Sequence, residues 1–113
     1  MSIIDLPNKT IKYYDSASKF TLGQPNDVLK ALENYLKEES LDKKKVSLDT
    51  SEWVLEHVLD CPQQENVSDC GVFSCQVAEF ISRGAAPSFR HQQIPCLRLK
   101  MIFEIASGKV FSL

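Results

Sequence analysis

From Pro62 to Gly71 the chain reads Pro-Gln-Gln-Glu-Asn-Val-Ser-Asp-Cys-Gly, a polar loop that delivers a cysteine to the start of an apolar helix. Beyond Cys70, the residues Phe73, Val77, Phe80 and Ile81 recur at helical spacing until Gly84 stops the pattern. A cysteine at a helix start lies beside backbone N–H groups without intrahelical partners, which favour a thiolate. Asp69 is placed to cap that helix. Gln64, six residues before Cys70, carries an amide suited to donate to a developing oxyanion if the loop folds back. Cys70 and Gln64 are therefore the candidate nucleophile and oxyanion donor. The bland reading, a core cysteine and a solvated loop glutamine, remains beside it.

Thiolate catalysis also needs a base oriented by an acceptor. The chain has two histidines, His57 and His91, and neither is an obvious base. His57 sits in the alternating segment Trp53–Leu59 and reads as a packing or solvent-facing residue; His91 reads as a surface residue of the loop Ser88–Gln93. Asp15 ends a strand after two tyrosines, and is either a turn residue or the acceptor that orients an imidazole.

The rest of the chain is organised simply. Met1–Leu6 and Thr10–Asp15 read as a hairpin around Pro7-Asn8-Lys9, with Ile11 and Tyr13 on one face and Lys12 and Tyr14 on the other. Pro25 opens a helix carried by Val28, Leu29, Leu32, Tyr35 and Leu36, and Ser40–Thr50 reads as a charged connection. Trp53–Leu59 is ambiguous between strand and helix, its alternation and the nearby Pro62 favouring strand, and a last helix starts around Pro95 and ends at Gly108. The order is two strands, helix, strand and two helices: an α+β fold.

With 13 basic and 15 acidic residues the formal charge is −2, so there is no footprint for nucleic acid and no polybasic membrane patch. Lys43-Lys44-Lys45 lies among acids and reads as a solvated loop. No signal peptide or membrane-length apolar stretch is read, which makes the four cysteines reduced thiols of a nuclear or cytoplasmic protein. Their spacing gives no Cys-x-x-Cys pair and no metal-ligand pattern, so no metal or cofactor is expected. Cys75 reads as an inert core residue of the helix, Cys61 and Cys96 as structural.

Five blocks carry a resemblance: Tyr13-Tyr14-Asp15-Ser16; Lys37-Glu38-Glu39-Ser40; Cys61-Pro62-Gln63-Gln64; Ser68-Asp69-Cys70-Gly71-Val72-Phe73; and Ile94-Pro95 followed by Arg98 and Met101. In order and spacing, from about Ile3 to Lys109, the chain resembles the C-terminal half of the catalytic domain of the SUMO-specific (sentrin-specific) cysteine proteases, the ubiquitin-like-protein-specific proteases. That resemblance implies a partial papain-like α+β fold, with Cys70 as nucleophile, Asp15 as the acid orienting the histidine, and Gln64 as oxyanion donor. It implies cleavage after the Gly-Gly terminus of SUMO, to mature the precursor or release it from target lysines, with SUMO or a related modifier and its conjugates as partners. The family's histidine, followed by Trp, lies a few residues before the position of Ile4-Asp5, so its role passes to neither His57 nor His91. Residues 1–113 are accordingly expected to be the C-terminal part of such a domain, lacking its N-terminal half and histidine, with little activity alone. The alternatives are an inactive modifier-binding remnant and a protease for a Nedd8-type modifier.

Overall fold

The computed structural model describes residues 1–20 and 23–111, and the chain divides into two compact units. The first contains Met1–Asp15 and the segment ending at Asp60, the second Ser16–Phe20 and the segment from Cys61 onward.

In the first unit the order is β1 (Ser2–Asp5), β2 (Thr10–Tyr14), α1 (Pro25–Lys44) and β3 (Val54–Val58). β1 and β2 form the expected antiparallel hairpin, with Ser2 opposite Tyr13 and Asp5 opposite Thr10. The turn closes because Asn8 donates its backbone N–H to Asp5 Oδ1 at 3.1 Å and its side-chain amide to Oδ2 at 2.9 Å, while Lys9 takes the left-handed conformation. β3 pairs with β2 in parallel, which requires the long crossover that α1 supplies. The register sets Lys12 against Glu56 as an ion pair at 3.8 Å, and Tyr13 edge-on to His57 at 5.4 Å. Burial does not follow one face of β2: Ile11 and Tyr14, on opposite faces, are both buried.

α1 runs further than its apolar spacing indicates. The segment from Ser40 to Lys44, read as connection, is helical because it contains no proline or glycine and is mostly built from good helix formers. The helix stops where Lys45 turns left-handed at φ 59°, with Ser40 Oγ donating to the Val46 carbonyl at 2.7 Å. Lys43 and Lys44 therefore occupy the last helical turn, where cations suit the helix dipole, rather than a loop.

The second unit holds α2 (Cys70–Ser82) and α3 (Ile94–Ser107), the latter preceded by a short 3-10 turn, His91–Gln93. α2 buries Phe73, Val77 and Phe80 of the stripe its periodicity marks out, together with Val72, while Ile81 is half-buried. Phe73 and Phe80 both pack on Phe89, with ring centroids 5.2 Å and 5.7 Å apart, and Ile94 and Leu97 of α3 complete this core. Each such side chain contributes about 1.5–3 kcal/mol by leaving water. Both helices end on a left-handed glycine: Gly84 at φ 76° lets the Ala85 N–H reach the Phe80 carbonyl, and Gly108 at φ 69° donates to the Glu104 carbonyl. No helix among the described residues is long and apolar enough to cross a membrane.

Candidate active site

α2 begins at Cys70 because the Asp69 carbonyl accepts the first intrahelical bond, from the Phe73 N–H at 3.1 Å. Cys70 is exposed and occupies the first helical position, so its backbone amide and those of its two successors have no intrahelical acceptor. The Asp69 side chain does not cap the helix as the sequence suggests. Its carboxylate instead accepts from Arg98 of α3 through one oxygen and from Asn66 Nδ2 at 2.8 Å through the other. These hydrogen bonds, Arg98 first and Asn66 second, hold the Asp69 carboxyl below its usual range.

Gln64 is not a solvated loop residue. Only 1% of it is exposed, and its amide is fixed at both ends. Oε1 accepts from Ser16 Oγ at 2.7 Å, and Nε2 donates to the Asn66 carbonyl at 2.5 Å. A carbonyl can only accept, so the Asn66 bond identifies which end of the amide is nitrogen. The backbone repeats the tie, since the Gln64 N–H donates to the Ser16 carbonyl at 2.7 Å. Asn66 in turn organises the approach to the helix. Its Oδ1 accepts the N–H groups of Ser68 and Asp69, both at 3.0 Å. Thus the loop is bonded within itself from Gln64 to Asp69, and the Asn66 bond uses one of the two Gln64 Nε2 hydrogens.

Asp15 closes the first unit, half-buried directly after β2, one peptide bond before Ser16. Gln64 and Cys70 lie together in the second unit, at the two ends of one loop. His57 packs on Tyr13 within the sheet, as expected. His91 departs from its reading as a surface residue: it is half-buried, its ring stacks on Phe73 at 6.2 Å, and its Nδ1 accepts the Glu65 N–H at 3.2 Å. Cys75 also departs from expectation, being exposed where a core thiol was expected, because it lies off the Phe73–Val77 stripe of α2. Cys61 is buried and Cys96 exposed. Ser16, Asn66 and Arg98 take part in this network although the sequence does not announce them. Their partners lie up to 48 residues away, and no local spacing signals such bonds.

Two cavities accompany these features. A groove of about 860 Å³ in the first unit lies between α1 and the Ser47–Ser51 segment, where Glu33 takes Lys37 at 3.4 Å and Thr50 Oγ1 at 3.3 Å. Asp15 is not among its lining residues. A smaller one of about 360 Å³ in the second unit is lined by α2 and α3 residues including Cys75, Gln76 and Glu104. No group of three His, Cys, Asp or Glu side chains able to hold a metal ion occurs among the described residues.

Comparison with known proteins gives a consistent result. Residues 1–110 match the Ulp1 protease family, C-terminal catalytic domain. The chain is 43% identical over 112 residues to a sentrin-specific protease of Caenorhabditis elegans, covering 99% of this chain and 16% of that protein. It is 39% identical over 106 residues to human sentrin-specific protease 2, covering 91% and 17%. The chain thus spans about a sixth of the length of these curated relatives. Its fold resembles that of the SUMO protease Ulp1 solved with its catalytic cysteine oxidised to a sulfonic acid, with a TM-score of 0.76 and 32% identity over 95% of this chain and 46% of that one. It also resembles the C-terminal Ulp1 protease domain solved in complex with Smt3, the yeast orthologue of SUMO, with a TM-score of 0.70 and 35% identity over 86% of this chain and 41% of that one. A cysteine at a helix start, a buried glutamine held at both ends in the loop before it, and a match along almost the whole sequence agree on one conclusion: the chain belongs to the Ulp1 protease family.

Proposed function

We propose that these residues are the C-terminal, cysteine-bearing part of the catalytic domain of a SUMO-specific cysteine peptidase, which matures SUMO or releases it from target lysines. The observation that carries this reading is the Gln64 amide, buried and fixed at both ends at the head of the loop that terminates in Cys70. The names and bound partner of the relatives support the substrate class.

In this reading the Cys70 thiolate attacks the carbonyl carbon of the modifier's terminal glycine. An S–C bond forms, and the carbonyl π electrons move to oxygen. That oxyanion is stabilised by the remaining Gln64 Nε2 hydrogen and by helix-start N–H groups. Collapse breaks the C–N bond and leaves a thioester, which water hydrolyses. The leaving amine needs a proton, which a histidine oriented by Asp15 supplies. His57 and His91 do not occupy the family position of that histidine, and His91 has its Nδ1 engaged by the Glu65 N–H. These residues alone therefore turn over slowly, since losing one member of such a unit lowers rates by orders of magnitude.

Trapping with SUMO, Nedd8 and ubiquitin, each bearing a C-terminal electrophile, tests the reading. A SUMO adduct that forms fastest and disappears in Cys70→Ser supports it. A faster Nedd8 adduct would replace SUMO by that modifier, and SUMO binding without any adduct would leave an inactive binding remnant.

A further inference from the structure

We propose that Arg98, on α3, is a positioning residue for the oxyanion-donating amide of Gln64, acting through Asp69 and Asn66, while Ser16 holds the other end of the amide. The proposal rests on the role assigned to Gln64 above. Its basis is an unbroken series of hydrogen bonds inside the second unit. Arg98 Nη2 donates to Asp69 Oδ1, Asn66 Nδ2 donates to Asp69 Oδ2 at 2.8 Å, and the Asn66 carbonyl accepts from Gln64 Nε2 at 2.5 Å. At the far end Ser16 Oγ donates to Gln64 Oε1 at 2.7 Å.

An exposed arginine–aspartate pair is ordinarily worth little, because water competes for both charges. This pair is asymmetric. The Arg98 side chain is half exposed, but that of Asp69 is largely buried, and its second oxygen is committed to Asn66. Without Arg98, a buried carboxylate loses its charge-assisted donor and must find another. The nearest adjustable partner is the Asn66 side chain, whose Oδ1 also accepts from Ser68 and Asp69 N–H. Moving Asn66 moves the carbonyl that aims the Gln64 amide. The Glu65 N–H bond to His91 Nδ1 and the Gln64 N–H bond to the Ser16 carbonyl grip the backbone of this stretch and not the amide. The anionic state of Asp69 is consistent with this chain of donors, since its carboxyl is held below the usual range.

Misplacement of a transition-state donor by about 1 Å lowers rates by up to about 100-fold. The remoteness of Arg98 makes a loss of about tenfold the expected size. The readout is affinity for SUMO ending in a glycine aldehyde, compared with SUMO ending in the ordinary carboxylate. The Cys70 thiol adds across the aldehyde: the S–C bond forms, the C=O π bond breaks, and the oxygen, taking the thiol proton or remaining anionic, occupies the oxyanion position. In the 113-residue chain, Arg98→Met is expected to weaken aldehyde binding about tenfold and carboxylate binding less than twofold, with Arg98→Lys in between. Ser16→Ala is expected to act in the same direction. Arg98→Met added to Gln64→Ala is expected to cost nothing more, because both act on one donor. Equal weakening of both ligands, or additive losses in the double variant, would overturn the proposal.

A nitrogen-15 spectrum of the Gln64 side chain separates this from the reading it rests on. If wild type forms no SUMO adduct, the functional reading fails. The Gln64 amide is still expected to show two well-separated, slowly exchanging hydrogens that move toward free-amide values in Arg98→Met. An unchanged spectrum in that variant would overturn the positioning role whatever the substrate.

Discussion

Ser16 and Gln64 are joined twice across 48 residues of sequence: Ser16 Oγ donates to Gln64 Oε1 at 2.7 Å, and the Gln64 N–H donates to the Ser16 carbonyl at 2.7 Å. The double tie pins the segment that leaves β2 to the loop that ends in Cys70. Ser16→Ala removes the first bond and leaves a buried amide oxygen without its donor, which costs about 1–3 kcal/mol. Urea unfolding checks this, and a loss below about 0.3 kcal/mol would mean that water or another group takes over the oxygen.

Asp69 gives the second expectation, in pH. Its folded-state carboxyl lies below the ordinary value of about 4, through Arg98 first and Asn66 second. A depressed acid contributes stability that is present above its unfolded value and is lost as pH falls through the folded one. Asp69→Asn is therefore expected to lower the urea midpoint at pH 7, and the deficit to shrink as pH falls through the folded-state value. A difference that persists undiminished in acid would show that shape, and not charge, holds the loop.

Gly71 separates stability from chemistry. It lies in the first turn of α2, with no left-handed backbone, and a Cβ built there meets nothing within 4 Å. Gly71→Ala is expected to stabilise the chain by up to about 1 kcal/mol through helix propensity. If the modifier's carbonyl approaches along this flank of Cys70, the same substitution slows adduct formation. A thermally stabilised variant with unchanged trapping would place the approach elsewhere.

The sequence carried the local architecture well and the polar network poorly. Helices were legible where apolar spacing and glycine stops coincide, as from Phe73 to Gly84 and from Leu97 to Gly108. The end of α1 was not, because Ser40–Lys44 is helical without an apolar stripe. Cys70 and Gln64 were visible as a compact motif, and the structure adds how the amide is held. Asp69 shows why the remainder was hidden. At a helix start it looks like a cap, but Arg98, 29 residues away, competes for its carboxylate and prevails. A charged donor outbids neutral backbone amides, and nothing local announces it.

α3 leaves Leu99, Ile102, Phe103 and Ile105 exposed beside its buried Ile94 and Leu97, a helix apolar almost all round. Such a helix is ordinarily covered. The 113-residue chain is expected to self-associate at micromolar concentration, and Ile102→Lys with Phe103→Glu to shift sedimentation toward monomer without lowering helix content. A wild-type chain that stays monomeric at high concentration would contradict this.

The most direct test of the central claim is to map where a SUMO C-terminal electrophile attaches among the four cysteines. Cys70, Cys75 and Cys96 are all exposed, so accessibility alone does not choose between them, whereas Cys61 is buried. If Cys70 is the nucleophile and Gln64 its oxyanion donor, peptide mass spectrometry finds the adduct on Cys70 alone, and Gln64→Ala slows its formation at least tenfold while iodoacetamide labelling of Cys70 is unchanged. An adduct spread over Cys75 and Cys96, or one indifferent to Gln64→Ala, would contradict the account.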